Sequence, residues 1–406
     1  MDLQAVKAQM RDQVAAHHDV LVRTSHQIHE HPELNYEERF AHDVLSDVLE
    51  SAGIAVERHA YGLETAFVAR AGSTGPTIAV LCEYDALPGI GHACGHNIIA
   101  TAGLGAGLAA AAVAEAAGGR VVVLGTPAEE GGGGKIRLAR SGAFEGIDAA
   151  LMVHPAGHDL ARMTAIAVQE VSATYTGHAA HAAAAPHLGR NALDAAVLGY
   201  VNVAALRQHI RPDERIHGVF GEGGDKPNIV PSRARTDWMV RSPSIVSLGP
   251  LKERFVACLE AGAAAAGCTV ELAWHDVVYA DMIDNEVMLS CYSANVAALG
   301  RPTVEPDDEV AVVGSTDMGN VSYVVPSIHP MIAAAPLGTP IHTTDFAAAA
   351  RSSSGDAAVV DGAVAMAWTV ADLWLGEGVL AAARSEHEAS LARVGPDAVR
   401  SAIGGG

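Results

Sequence analysis

Three short apolar runs do most to restrict the architecture open to this chain. Residues 77–81, 121–124 and 149–153 are β-branched and aliphatic stretches of strand length, and the uncharged Ala- and Gly-rich segment 97–114 lies between the first two. A helix-length segment between two buried strands implies a parallel crossover, because a hairpin needs only a few residues. A further strand is expected at 67–69, a helix reaching His31 and stopped by Pro32, and another over 36–52 with Gly53 as its stop. This order predicts an α/β domain with a mostly parallel sheet and helices on both faces.

The pattern changes between Ala167 and Val278. Two strand-like stretches, a helix over 191–209, strands near His217 and Asp237 and a helix over 251–266 predict a smaller α+β, ferredoxin-like unit. Sheet-and-helix signals of the first kind resume at Asn285. The expected organisation is a discontinuous domain, 1–166 and 279–406, interrupted by a second domain, 167–278, with the tail from Gly404 to Gly406 frayed.

At 406 residues the chain can bury two cores, and with half its residues apolar but only 4% aromatic, Ala and Val must fill them. A formal charge of -21 without Lys/Arg clusters excludes a phosphate-binding surface and so a nucleic-acid partner; it leans towards cationic substrates. Five cysteines, Cys82, Cys94, Cys258, Cys268 and Cys291, form an odd set that suits a reducing compartment. Residues 1–25 mix charged and apolar positions at helical spacing, which predicts no signal peptide and a cytoplasmic location. The run 97–114 is expected to be a buried helix and not a membrane span.

Chemistry concentrates where strands end. After the strand at 77–81 come Glu83, Asp85, His92, Cys94 and His96 within one loop. After the strand at 121–124 come Pro127-Ala128-Glu129-Glu130 and the glycines 131–134; after 149–153 comes His154, and His342 lies further on in Ile341-His342-Thr343. The carboxyl ends of parallel strands are where α/β proteins hold ligands. Each residue alone has an ordinary reading, a buried thiol, a solvated acidic turn or a satisfied histidine. Together Cys94, His96, a glutamate, His154 and His342 suffice for two metal ions with a shared ligand, and the mixed sulfur, nitrogen and oxygen set suits zinc, with manganese, cobalt or nickel as alternatives. Adjacent residues of an extended segment point to different sides, so one of Glu129 and Glu130 can bind metal while the other moves protons. Competing motifs fail. The stretch from Gly125 to Lys135 lacks the spacing of a phosphate loop, Gly105-x-Gly107-x-x-Ala110 lies inside a helix, and no Gly-x-Ser-x-Gly elbow exists.

These motifs, in this order, resemble peptidase family M20, the dinuclear-metal amidohydrolases of the aminoacylase and N-acyl-amino-acid hydrolase type. The resemblance spans His29-Glu30-His31-Pro32-Glu33-Leu34, the loop from His92 to His96, Pro127 to Gly131, His154, Gly177-His178-Ala179-Ala180-His181-Ala182, Asn228-Ile229-Val230-Pro231 and Ile341-His342-Thr343. It is most like the branch with the p-aminobenzoyl-glutamate hydrolases and the aminoacylase-like β-alanyl dipeptidases. It implies Cys94 as bridging ligand with His96, Glu130, His154 and His342, Glu129 as general base, and Asp85 as the acid that orients ligands. Relatives with His-x-Asp in place of Glu83-x-Asp85 leave the role of Glu83 open.

The same resemblance makes 167–278 a lid and dimerisation module and implies a homodimer. His181 would stabilise the oxyanion across the dimer. Asn228 and Arg241 would contact the substrate's carbonyl and carboxylate, and Gly338 would line the pocket with backbone. A strand-end surface charge is the other reading of Arg241, and an ordinary turn that of Gly338. The opening His-Pro-Glu-Leu motif is assigned to the fold. The expected activity is metal-dependent hydrolysis of the amide bond in an N-acyl amino acid or dipeptide-like small molecule with a free carboxylate, β-alanyl or other cationic dipeptides being the narrower form. A cysteine hydrolase using Cys94, which would survive chelation, and a non-catalytic dimeric binding protein are the contrasting readings; no membrane partner is expected.

Overall fold

The computed structural model describes residues 2–306 and 312–404, and the chain divides into two compact units, Met1–Thr164 with Met282–Ile403 and Ala165–Asp281. Of the expected frayed tail, residues 405 and 406 lie outside the described residues.

The larger unit starts with helices α1 (Leu3–Ala16), α2 (His18–Glu30) and α3 (Arg39–Ser51). α3 begins three residues later than its sequence pattern suggests, because Tyr36 takes a left-handed backbone (φ 63°) and the Glu33 carboxylate accepts the N–H groups of Phe40 and Ala41, capping the helix there. Strands β1 (Val56–Arg58), β2 (Phe67–Ala71) and β3 (Thr77–Glu83) follow, then α4 (His96–Ala117), β4 (Arg120–Thr126), α5 (Gly134–Arg140), β5 (Ala149–Leu151) and β6 (His154–Ala156).

The smaller unit contributes β7 (Ala167–Thr176), α6 (Ala192–Leu206), β8 (Arg215–Glu222), β9 (Arg233–Ser242), α7 (Ile245–Ala265) and β10 (Thr269–Trp274). Its sheet runs β10-β7-β9-β8, antiparallel throughout, with the two helices packed on it. α7 starts ahead of Pro250, where the sequence places its first turn after that proline. A reciprocal Ser244–Ser247 cap and the buried face of Ile245, Leu248 and Leu251 outweigh the one backbone hydrogen bond the proline removes.

The chain then returns to the larger unit with α8 (Glu286–Ala298), α9 (Met318–Ser322), β11 (Ser327–Ile328), β12 (Met331–Ala333), α10 (Thr344–Ala349) and α11 (Ser353–Leu375). The six-stranded sheet has the order β1-β2-β4-β3-β5-β11. It is parallel from β4 to β11, with β2 and β1 added antiparallel at one edge. β6 pairs with β12 in a separate parallel ladder.

Alternation along the strands sorts their side chains into two cores. Ile78, Val80, Val121, Val123 and Leu151 face α1, α2, α4, α8 and α11, whereas Ala79, Leu81, Val122, Leu124 and Ala150 face Leu138 of α5 and Met318 and Val321 of α9. Glycines in α4 have a packing reason: a Cβ on Gly103 would stand 2.4 Å from the Leu81 carbonyl oxygen and one on Gly107 2.3 Å from Val123. The helix therefore lies flush on the two strands that carry the site. α4 and α11 are long and apolar enough to cross a membrane by composition, and both are largely buried in this core.

Candidate metal centre

The parallel order delivers four loops to one place. β3 runs into the segment with Asp85, Cys94 and His96; β4 runs into Glu129 and Glu130; β5 leads to His154 at the start of β6; and His342 precedes α10. Gly95 caps α4 in a left-handed conformation (φ 81°), and a Cβ there would stand 2.6 Å from Pro155. This glycine lets the loop of Cys94 close against the strand of His154.

The sulfur of Cys94 is the common point. It lies 3.4 Å from Nε2 of His154 and 3.3 Å from Nε2 of His342, which is itself 3.3 Å from Oε1 of Glu130. Cys94, His96 and His154 form one group of donors and Cys94, Glu130 and His342 another, the donor atoms in each lying within 4.8 Å of one another. Two of these atoms, Nε2 of His96 and Oε1 of Glu130, are buried without a hydrogen bond. Orphaned polar atoms are costly unless something repays them. The imidazoles are anchored from behind, Nδ1 of His96 on Asp85 at 3.1 Å and Nδ1 of His154 on the Pro155 carbonyl at 2.8 Å, leaving both Nε2 atoms for the centre. His342 adopts a left-handed backbone (φ 63°), and its N–H donates to the Ala93 carbonyl at 2.8 Å, tying it to the cysteine loop. The donor set fits two divalent cations sharing one thiolate.

Electrostatics agree with that fit. Burial lowers the pKa of His154 well below its usual value, and His329 and His96 lower it further, so its ring stands neutral with a lone pair to offer. Burial pushes the Cys94 thiol up, and burial first, then the charges of Glu83, Glu130 and Asp317, lifts Glu129 well above the carboxylate range. A cation beside them reverses this, since coordination deprotonates a thiol outright. Asp85 stays below its usual value: burial opposes ionisation, but His96 and backbone N–H groups of Glu130 and Glu129 outweigh it. His96, lowered by burial, is raised well above its usual value by Glu83, Cys94 and Asp85 together.

Lys135, Asp317 and His329, all buried beside the centre, escaped the sequence reading. Lys135 is fully buried, with its ammonium on Glu83 and at 2.8 Å from Asp317. Glu83 in turn stands 3.1 Å from Nε2 of His96, and Glu83, His96 and Glu129 form a third close group. His329 is buried with neither ring nitrogen hydrogen-bonded, 5.4 Å edge-on from the ring of His154. A signal for it existed: His329-Pro330 after β11 repeats His154-Pro155 after β5, in the neighbouring parallel strand. His92 is buried beside His29, ring centroids 6.0 Å apart, outside the donor groups.

The remaining candidates are placed as follows. Gly338 has φ 79° in an exposed loop of the larger unit, next to Leu337. His181, Asn228 and Arg241 belong to the smaller unit. His181 is exposed, and its Nδ1 accepts the N–H groups of Ala183 and Ala184 at 3.2 and 3.1 Å. An accepting Nδ1 leaves the proton on Nε2, so the ring presents a donor. Asn228 is exposed and its carbonyl holds Ala182 at 3.0 Å; Arg241 is half-buried on β9.

The model of peptidase family M20/M25/M40 matches residues 79–367. Over 408 residues the chain is 40% identical to the Xaa-Arg dipeptidase of Mus musculus, covering 96% of this chain and 94% of that protein. It is 31% identical over 437 residues to a p-aminobenzoyl-glutamate hydrolase chain of Escherichia coli, covering 89% and 90%. A dinuclear metal-binding peptidase of Bacillus subtilis shares the fold with a TM-score of 0.67 over 88% of this chain and 99% of that one, at 19% identity.

Proposed function

Because the chain belongs to peptidase family M20/M25/M40 and is a metal-dependent amidohydrolase, we propose that it cleaves dipeptides and N-acyl amino acids bearing a free carboxylate, with dipeptides ending in a basic residue as its first substrate class. The observation that carries the reading is the sulfur of Cys94, shared by two donor groups at the carboxyl ends of parallel strands. The likeness to the Xaa-Arg dipeptidase and the charge of -21 support a cationic substrate; the likeness to the p-aminobenzoyl-glutamate hydrolase chain supports p-aminobenzoyl-glutamate as a second.

Cys94, His96, Glu130, His154 and His342 are assigned as ligands of two divalent cations, zinc first given the thiolate and imidazoles. When bound, such ions supply Lewis acidity, polarising a carbonyl and acidifying water. Glu129 accepts the water proton at its carboxylate and delivers it to the departing amine nitrogen. Asp85 fixes the tautomer and direction of His96. His181, with Nε2–H as donor, is assigned to the oxyanion, and Asn228, Arg241 and Gly338 to the substrate. The larger, discontinuous unit is the catalytic one and the smaller a lid and homodimer module; exposed Val219 and Phe220 on β8 and Val197 and Val201 on α6 support such an interface. A cytoplasmic location accords with the unpaired cysteines.

Elemental analysis of purified protein, with activity on C-terminal Arg and Lys dipeptides, N-acetyl amino acids and p-aminobenzoyl-glutamate before and after chelation, tests this. Two metals per chain and chelator-sensitive cleavage, strongest on the basic dipeptides, are expected. Turnover indifferent to chelation would sink the metal assignment, and equal turnover across the panel would sink the substrate class.

A further inference from the structure

The segment between α2 and α3, which the sequence motif assigns only to the fold, reaches both loops of the centre. The Glu33 carbonyl accepts the N–H of Ala86 at 2.8 Å, beside Asp85. The side-chain amide of Asn35 donates to the Glu130 carbonyl, and the Tyr36 hydroxyl donates to the Gly132 carbonyl at 2.6 Å. Glu38 is fully buried, and its Oε1 accepts two N–H groups at 2.9 Å each, from Tyr36 and from Ala128; its Oε2 accepts the Thr65 hydroxyl at 2.8 Å.

The two residues held by that single oxygen are both left-handed without being glycine, Tyr36 at φ 63° and Ala128 at φ 59°. A side chain in this region carries backbone strain, which persists only where surrounding bonds enforce it. Ala128 immediately precedes Glu129, so its backbone angle sets the direction in which the next carboxylate leaves the chain. Release of the Ala128 N–H would let the loop relax towards an ordinary conformation and swing Glu129 away. The space allows no wide wandering, since a Cβ on Gly132 would stand 2.6 Å from that of Ala128 and 2.9 Å from the Tyr36 ring. The loop is thus held by contact on one side and by Glu38 on the other.

We propose that Glu38 is a positioning residue for catalysis: by holding Ala128 in a strained backbone conformation it aims the Glu129 carboxylate, with Asn35 and Tyr36 bracing the rest of the acidic loop. This rests on Glu129 as the base. Misaiming a reacting group by about 1 Å can cost about 100-fold in rate.

The test compares kcat, KM, bound metal and melting temperature for E38A, E38Q, A128G, E129Q and the double variant E38A/E129Q, all in the full-length holoenzyme. E38Q keeps an acceptor oxygen for Ala128 and Tyr36, so it should stay within a few-fold of wild type. E38A should lose about 10- to 100-fold in kcat with KM and metal content retained. A glycine at position 128 removes the strain but frees the backbone to leave the clamped conformation, so A128G should melt at or above the wild-type temperature yet turn over more slowly. E38A should add no further loss on top of E129Q, because it acts through that residue. Should E38A fail to fold, the opposed changes in stability and kcat of A128G carry the test. Unchanged kcat in E38A or A128G, or a full additional loss in the double variant, overturns the inference. An active E129Q would instead overturn the assignment of the base.

Discussion

Replacing Lys135 by Met tests whether the centre is organised by charge. The ammonium is fully buried, bonded to Glu83 and 2.8 Å from Asp317, so the variant keeps the volume and strands two buried carboxylates. Removing one partner from a buried ion pair costs about 3–5 kcal/mol. The larger unit has roughly 290 residues, for which the unfolding entropy is about 0.6 kcal/mol per kelvin. The melting temperature of the metal-free protein should therefore fall by about 5–8 °C. The sign of its pH dependence also follows. With the cation gone, Glu83 and Asp317 are pushed further above their unfolded values, so the folded variant keeps a proton that the unfolded chain has lost above about pH 4.5. Stability drains as pH rises through that window, and the gap to wild type should widen between pH 5 and pH 8. Saturating divalent metal should narrow it, since a cation held beside Glu83 replaces part of the missing charge. Thermal melts monitored by circular dichroism at several pH values, with and without metal, check this. A drop of under about 2 °C, or a gap that stays flat with pH, would refute the argument that Lys135 neutralises these carboxylates.

Other consequences are more direct. C94A removes the donor common to both groups, so bound metal measured by elemental analysis should fall from two per chain to below one, where loss of a terminal ligand such as His342 should spare one ion. Metal uptake must displace protons from the Cys94 thiol and from Glu129, both raised by burial, so titration with zinc in weak buffer near neutrality should release more than one proton per chain. Burial, then Lys135 and His96, lowers His329 to about 3, so below pH 6.5 the unfolded chain binds a proton the folded one refuses. Stability of chelated protein should fall with pH from there towards 3 by about 1.4 kcal/mol per unit from this residue, and H329L should flatten the slope in melts at pH 4.5 and 6.5.

The parts of this molecule visible in its sequence are those whose physics is local. Each candidate ligand among them directly follows a strand or sits in a short loop, so the apolar runs at 77–81, 121–124 and 149–153 point to Cys94, His96, one of Glu129 and Glu130, and His154 without any knowledge of packing. His342 joined them on donor type alone, and the choice of Glu130 as ligand with Glu129 as base needed the family resemblance. Lys135 stayed hidden because its partners Glu83 and Asp317 lie 52 and 182 residues away, and nothing around a lysine that follows a run of glycines distinguishes a buried one from a solvated one. Glu38 is the same case at a distance of 90 residues, its bond to Ala128 existing only once the two loops meet. The starts of α3 and α7 misled for a related reason. Side-chain caps by Glu33 and Ser244 override the simpler signals of hydrophobic spacing and proline.

The features that make the site chemically able also make it a burden on folding. Glu83, Asp85, Glu129 and Asp317 are buried together, with Lys135 and a raised His96 as the positive groups set among them. Nε2 of His96 and Oε1 of Glu130 lack hydrogen bonds, and Tyr36, Ala128 and His342 hold left-handed backbones. Each departure costs stability on its own. They converge on one small volume, and the one change that relieves most of them at once is the arrival of positive charge between the orphaned donors. Cation binding and folding are then linked: a ligand that binds only the folded chain adds about 4 kcal/mol of stability at a thousand times its dissociation constant. The sheet and the glycine-lined α4 contribute rigidity, the clamp at Glu38 contributes aim, and the orphaned donors reserve a place for the ions on which the hydrolysis depends.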